Sequence, residues 1–141
     1  MLRGEYGHTL DIKGRVNFPV KIRESLGERF IITRGLDNCL FVYSSEGWQE
    51  LEAKLRALPM SKSRDIQRFF FASAAEMEPD KQGRILIPQN LREYAGLEKD
   101  IVIIGVSERA EIWSAHRWTE KLSALTDDAA KIEQAMDELG F

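Results

Sequence analysis

With 141 residues, 43% of them hydrophobic and 30% charged, the chain can build one core or two very small ones. Its single cysteine, Cys39, excludes an internal disulfide and lies in the apolar run CLFVY, where a buried inert thiol is the natural reading. The net charge of −3 argues against a polyanion until it is divided: residues 1–35 hold seven Lys/Arg against four Asp/Glu, residues 101–141 four against eight.

The N-terminal MLRGEYGHTL has no apolar h-region, and apolar runs such as IVII are short. Neither a signal peptide nor a membrane span is expected, and a cytoplasmic protein is.

In chain order, GHTLD (7–11) predicts a strand entering a turn, and RVNF (15–18) a short strand leaving it. Pro19 then opens a helix of one or two turns that Gly27 closes. FIITRG and CLFVY predict two further strands, and Ser44 an N-cap, with Trp48 four residues on facing the core. Residues 46–58 place Trp48, Leu51, Leu55 and Leu58 on one helical stripe; residues 62–72 place Ile66, Phe69 and Phe70 on another. Phe71 lies about a third of a turn off that stripe, which leaves open whether one phenylalanine faces another subunit.

After these helices the chain starts again. AEMEPD (75–80), RILI (84–87), a helix between Pro88 and Gly96, IVIIG, AEIW, Ser114 and Trp118 repeat the first half. At an offset of 69 the identities are Asp11/Asp80, Gly14/Gly83, Arg15/Arg84, Pro19/Pro88, Arg23/Arg92, Glu24/Glu93 and Gly27/Gly96. Gly35/Gly105, Ser44/Ser114 and Trp48/Trp118 follow at 70. The chain is a tandem repeat of two. Four short strands per copy cannot cover a core alone, so one intertwined β-barrel made from both halves is expected. Residues 127–139, with Ile132, Ala135, Met136 and Leu139, predict a final amphipathic helix that has Asp127 and Asp128 at its start.

The repeated turn carries the chemistry. In D-x-x-G the Asp carboxylate accepts from backbone N–H groups two residues on, and Gly supplies a positive φ. Asp11 and Gly14 thus shape the first turn, Asp80 and Gly83 the second. Alternation sends Val16 and Phe18 inward and leaves Arg15 and Asn17 outward. In the second copy Ile85 and Ile87 go inward, and Arg84 and Leu86 stay out. The first outer face, Lys13, Arg15 and Asn17, suits phosphates and base edges; the second, Gln82, Arg84 and Leu86, is less charged. Lys21 becomes Asn90 and Arg29 becomes Glu98. An Arg four residues after an Asp can also simply close its turn with an ion pair. That is the simpler account of Arg84, whereas Arg15, with Lys13 beside it and Arg3 near in sequence, reads as a contact. Arg23 and Arg92 read as structural anchors.

No enzyme signature is present: His8 and His116 are not at metal-ligand spacing with Cys39, and no P-loop, G-x-S-x-G or dinucleotide fingerprint occurs. Asp11 and Asp80 are better explained by their turns than as a catalytic pair. A helix-turn-helix around Pro59, with Lys62, Arg64 and Arg68 on its second helix, is weakened by the apolar RFFFA. A helical hairpin bridging the repeats fits better.

The paired D-x-x-G-R turns, MLRGEYGHTLD, RFFFASAAE and DKQGRILIPQNLREYAGL closely resemble the MraZ family of bacterial transcriptional regulators, over residues 1 to about 120. Leu2 and Phe18 are small departures, where the family often has Phe and Ile or Leu. The resemblance implies an α+β, mainly β chain of two tandem AbrB-like swapped-hairpin repeats forming one pseudo-dimeric β-barrel. A helical hairpin would separate the repeats and a C-terminal helix follow them. The expected units are residues 5–47, 48–75, 76–119 and 120–141. It further implies a homo-oligomeric ring binding double-stranded DNA at direct repeats in the promoter of the division and cell-wall gene cluster. The protein would be cytoplasmic and nucleoid-associated, with no metal or small-molecule cofactor. Arg15 is the principal expected contact, supported by Lys13 and Arg3; Arg84 either assists or only braces its own hairpin. The alternative is an antitoxin-like or other protein-interaction module of the same fold with no direct role at DNA.

Overall fold

The computed structural model describes residues 1–141. Eight strands and six helices alternate as two copies of one pattern. The first copy runs β1 (Leu2–Thr9), β2 (Arg15–Asn17), α1 (Val20–Leu26), β3 (Phe30–Arg34), β4 (Leu40–Ser44) and α2 (Ser45–Arg56). After α3 (Met60–Phe71) come β5 (Ala75–Met77), β6 (Arg84–Leu86), α4 (Gln89–Ala95), β7 (Asp100–Ser107), β8 (Ala110–Ser114) and α5 (Ala115–Asp127). α6 (Ala129–Glu138) ends the chain.

Pairing crosses between the copies. Six strands form an antiparallel sheet in the order β1-β7-β8-β4-β3-β5, which maps onto its own reverse when the copies are exchanged. β1 runs along β7, from Leu2 opposite Ser107 to Thr9 opposite Asp100, and β5 adds to β3. The two outgoing strands pair with each other as a separate ribbon, β2 with β6. Each copy has therefore given its leading strand to the other copy's hairpin, the swapped arrangement of a pseudo-dimer.

Burial explains why neither half stands alone. The main core joins Val16, Phe18 and Phe30 of the first copy to Ile85, Ile87 and Ile103 of the second, all nearly inaccessible to water. The ribbon lies over the inner face of the sheet and closes the barrel. On the outer face Cys39, Phe41, Ile104 and Trp113 form a second cluster, covered by Phe70 of α3 and Trp118 of α5. Burial pushes the Cys39 thiol far above its usual range, which keeps it protonated and inert.

Ser44 and Ser114 cap α2 and α5, accepting from the N–H groups of Gly47 (3.0 Å) and Arg117 (3.2 Å). Pro19 and Pro88 sit one position before the expected one, at the extended N-cap residues of α1 and α4. Gly96 is left-handed (φ 63°, ψ 33°), whereas Gly27 ends α1 with φ 90° and an extended ψ. The leading strand is longer than the expected 7–11 because β1 is held along its whole length by β7.

The helical segment between the repeats lies on the sheet as a hairpin. Thr33 donates its hydroxyl to the Phe70 carbonyl, and Arg34 Nε donates to that of Phe69 at 3.1 Å. Phe71 packs edge-on against Trp48, with ring centroids 5.2 Å apart, so all three phenylalanines are engaged within the chain. The expected stripes are interrupted at Leu58 and Ile66, which are exposed. The final helix keeps its amphipathic pattern without covering anything: every residue of α6 is exposed. No helix is long and apolar enough to cross a membrane.

Candidate nucleic-acid interface

Both turns are built on the same hydrogen bonds. Asp11 Oδ1 accepts from the N–H groups of Lys13 and Arg15, each at 2.9 Å, and Oδ2 accepts from Arg15 Nε at 2.7 Å. Asp80 treats Gln82 and Arg84 alike, at 2.9 Å for both N–H groups and 3.0 Å for Arg84 Nε. Gly14 and Gly83 close the turns with φ of 89° and 79°, where a side chain is strained. The Arg15 N–H, followed by its guanidinium and the Lys13 N–H, holds the Asp11 carboxyl below the usual range. Asp80 is lowered by its equivalent donors.

The ion pair leaves the arginines usable. Each guanidinium has five N–H donors, and only Nε is committed within the chain. Their side chains are about one third exposed, 35% for Arg15 and 30% for Arg84. A pair this exposed contributes little to folding; its effect is to hold a planar donor in place.

Register brings the two turns together. Arg15 pairs with Leu86, Val16 with Ile85 and Asn17 with Arg84. Val16 and Ile85 point into the core, so Arg15, Asn17, Arg84 and Leu86 form a two-by-two outer array. The antiparallel strands put the turns at opposite ends of it, with Ile12 and Lys13 exposed at one tip and Lys81 and Gln82 at the other. Four cations, Lys13, Arg15, Lys81 and Arg84, thus share the ribbon and its tips with two carboxylates, Asp11 and Asp80.

Two placements differ from what sequence proximity suggests. Arg3 lies near the far end of β1, opposite Val106, beside Lys21 and Ser25 of α1. Six residue steps along the strand separate it from Thr9, roughly 20 Å, so it does not join the ribbon. Lys81, passed over in sequence because it matches Ile12 rather than Lys13, stands at the second tip. The D-K-Q-G motif carries that lysine one place earlier than the first turn does.

A basic antiparallel ribbon exposed on a swapped-hairpin barrel, its arginines fixed by paired turns, defines the architecture of AbrB-like DNA-binding proteins. The family model described as "MraZ protein, putative antitoxin-like" matches twice, at residues 1–69 and 70–139. Proteins named transcriptional regulator MraZ are similar along the full length of both chains. The identity over 143 residues is 59% in Acetivibrio thermocellus, 56% in Caldicellulosiruptor bescii and 55% in Thermoanaerobacter sp.. The chain belongs to the MraZ family.

Proposed function

We propose that this protein is a transcriptional regulator, not an enzyme, that binds double-stranded DNA through the outer face of the β2–β6 ribbon. Arg15 is the principal contact, Lys13 and Asn17 lie beside it, and Arg84 assists from the other strand. The single observation that carries this reading is the ribbon itself, which sets two guanidinium groups with free donors beside Asn17 on one exposed face. Such a ribbon fits a groove; phosphate contacts supply most of the affinity and one or two side chains read bases. Arg3 and Lys21, on a separate surface, would meet DNA only where it runs past the barrel.

The operator in this reading is a set of direct repeats upstream of the division and cell-wall gene cluster, and the protein works in the cytoplasm at the nucleoid. One ribbon offers few contacts, and repetition in a homo-oligomeric ring would raise the effective concentration of each. Two surfaces support such association. α6 and its C-cap present Ile132, Met136 and Leu139, exposed by 44–76%, among Glu133, Asp137 and Glu138. The α2–α3 corner presents Leu58, Met60 and Ile66 among Arg56, Lys62 and Arg64. An isolated ten-residue helix is marginal in water, so a cover for α6 is expected. The opposite charge at the corner of a second copy fits it, and a head-to-tail contact of this kind closes into rings. Residues 5–47 and 76–119 then form the DNA-binding barrel, 48–75 joins them, and 120–141 serves association.

The test is a binding titration on the duplex upstream of the protein's own gene, at several salt concentrations, comparing wild type with Arg15→Ala. A steep salt dependence and a clear loss of affinity in the variant are expected; equal affinity with an equal slope refutes the reading. An antitoxin-like module would instead recover one stoichiometric protein partner and leave the duplex unshifted. Sedimentation of Met136→Glu tests the association, which is wrong if the particle mass does not fall.

A further inference from the structure

Beneath each turn lies an arginine of the opposite repeat. A Cβ placed on Gly14 would come within 2.6 Å of Arg92 Cζ and 2.7 Å of its Nε. One on Gly83 would come within 3.1 Å of Arg23 Cζ. Arg92 belongs to α4 and Arg23 to α1, at matching places in the two copies. The backbone seam crosses in the same sense: Phe18 N donates to Gly83 O at 3.1 Å, and Ile87 N to Gly14 O at 3.0 Å. A guanidinium plate and one inter-repeat hydrogen bond therefore support each turn from below, while the Asp–Arg pair shapes it from within.

The two supports are not equal. Arg92 Nε donates to the Ile87 carbonyl at 2.9 Å, the residue whose N–H reaches Gly14, so plate, strand end and turn are tied in one circuit. Arg23 Nε is buried and has no partner, and its plate stands farther from Gly83. Arg23 Nε makes no hydrogen bond within the chain, so packing alone holds its plate. The first turn, which sets Asn17 beside Arg15 where the second sets Leu86 beside Arg84, is also the better braced.

We propose that Arg92 is a positioning residue for DNA recognition: it fixes the turn of the opposite repeat and so sets the angle at which Arg15 meets the duplex. Arg23 does the same, more loosely, for Arg84. The proposal rests on the ribbon being the DNA-binding face. Each reading element is thus held by the half of the chain that does not contain it, and Arg92 acts without touching DNA.

The experiment measures binding of a labelled duplex from upstream of the gene, and of a scrambled duplex of equal length, by wild type, Arg92→Ala, Arg92→Lys, Gly14→Ala and the Gly14→Ala/Arg92→Ala pair. Arg92→Ala should raise Kd about tenfold and shrink discrimination against the scrambled duplex, with the salt slope unchanged. A phosphate contact would instead lower that slope by about one, and that result overturns the proposal. Arg92→Lys keeps the charge but not the plate, so it should not restore binding; full recovery would overturn the proposal too. If Arg92→Ala does not fold, Gly14→Ala, which strains its own turn as well as pressing on the plate, is compared with Gly14→Ala/Arg92→Lys; partial relief of its loss is expected, and no relief overturns the proposal. In the double variant the collision is gone, so the two losses should fall well short of multiplying; fully multiplicative losses refute the coupling. Arg15→Ala in the same assay separates the readings. If it binds as wild type, the ribbon reading fails and this one with it. If it weakens while Arg92→Ala and Gly14→Ala do not, only the positioning role fails.

Discussion

The first and second turns have the same skeleton and different dress. Asp–Arg contacts of 2.7 and 3.0 Å, paired N–H donors at 2.9 Å and a positive-φ glycine recur in both. An ion pair with its own aspartate therefore cannot mark Arg84 as a brace and Arg15 as a contact, because both make it. What separates them is the surroundings: Lys13 and Asn17 flank Arg15, Gln82 and Leu86 flank Arg84 with Lys81 one place earlier in its turn, and Arg92 is anchored where Arg23 is not. Identical local geometry can serve unequal ends when the neighbours differ.

The largest expected effect breaks that asymmetry directly. Arg15→Ala should weaken operator binding by about 10- to 100-fold, the scale of a lost bidentate contact, and Arg84→Ala by several-fold less. Equal losses in a fluorescence titration would mean that the two turns contribute alike. Next comes Asp11→Ala, which removes the acceptor of three donors and frees Arg15. A loss approaching that of Arg15→Ala is expected, with Asp80→Ala milder; no loss would show that the aspartate does not orient its arginine.

A gain of function sharpens the contrast. Gln82→Lys/Leu86→Asn gives the second turn the counterparts of Lys13 and Asn17 in addition to its own Lys81 and should tighten binding a few-fold while steepening the salt dependence. An unchanged slope would show that the second tip never reaches DNA.

The smallest effects are in pH. Asp11 and Asp80 have folded pKa values below the unfolded value of about 3.9. Their contribution is complete above that value and is lost as pH falls through the folded one. Operator affinity measured down to pH 5 should show no carboxylate step. His8 is lowered by burial. The neutral ring is favoured in the fold, so its contribution is full above about 6.5 and declines as pH falls through the lowered folded value. Thermal melts at pH 5 and 7 should differ slightly less for His8→Gln than for wild type; an equal or larger difference rules out that assignment.

Much of this was legible in the residues. The duplication gave one intertwined barrel, because two sets of short strands with single apolar faces have only each other to bury; the swapped hairpins came with the family resemblance. Ser44 and Ser114 gave the helix starts, and D-x-x-G with a following Arg gave the turns. Three things were not legible. Cross-repeat register, which sets Arg15 opposite Leu86, depends on long-range pairing that no local pattern encodes. Arg3 looked near the first turn only because an extended strand separates neighbours in sequence by tens of ångströms. The crossing of Arg23 and Arg92 under the far glycines required coordinates, since each looks locally like a helix residue anchoring its own copy.

The strand order that maps onto its own reverse has one last consequence. A two-fold pair of identical subunits changes both of its turns whenever a mutation changes one, and so presents the same surface to both halves of a site. Here the two turns are encoded separately on a single polypeptide, so either can drift while the other stays, and in the proposed role such a molecule would suit a site that has a direction.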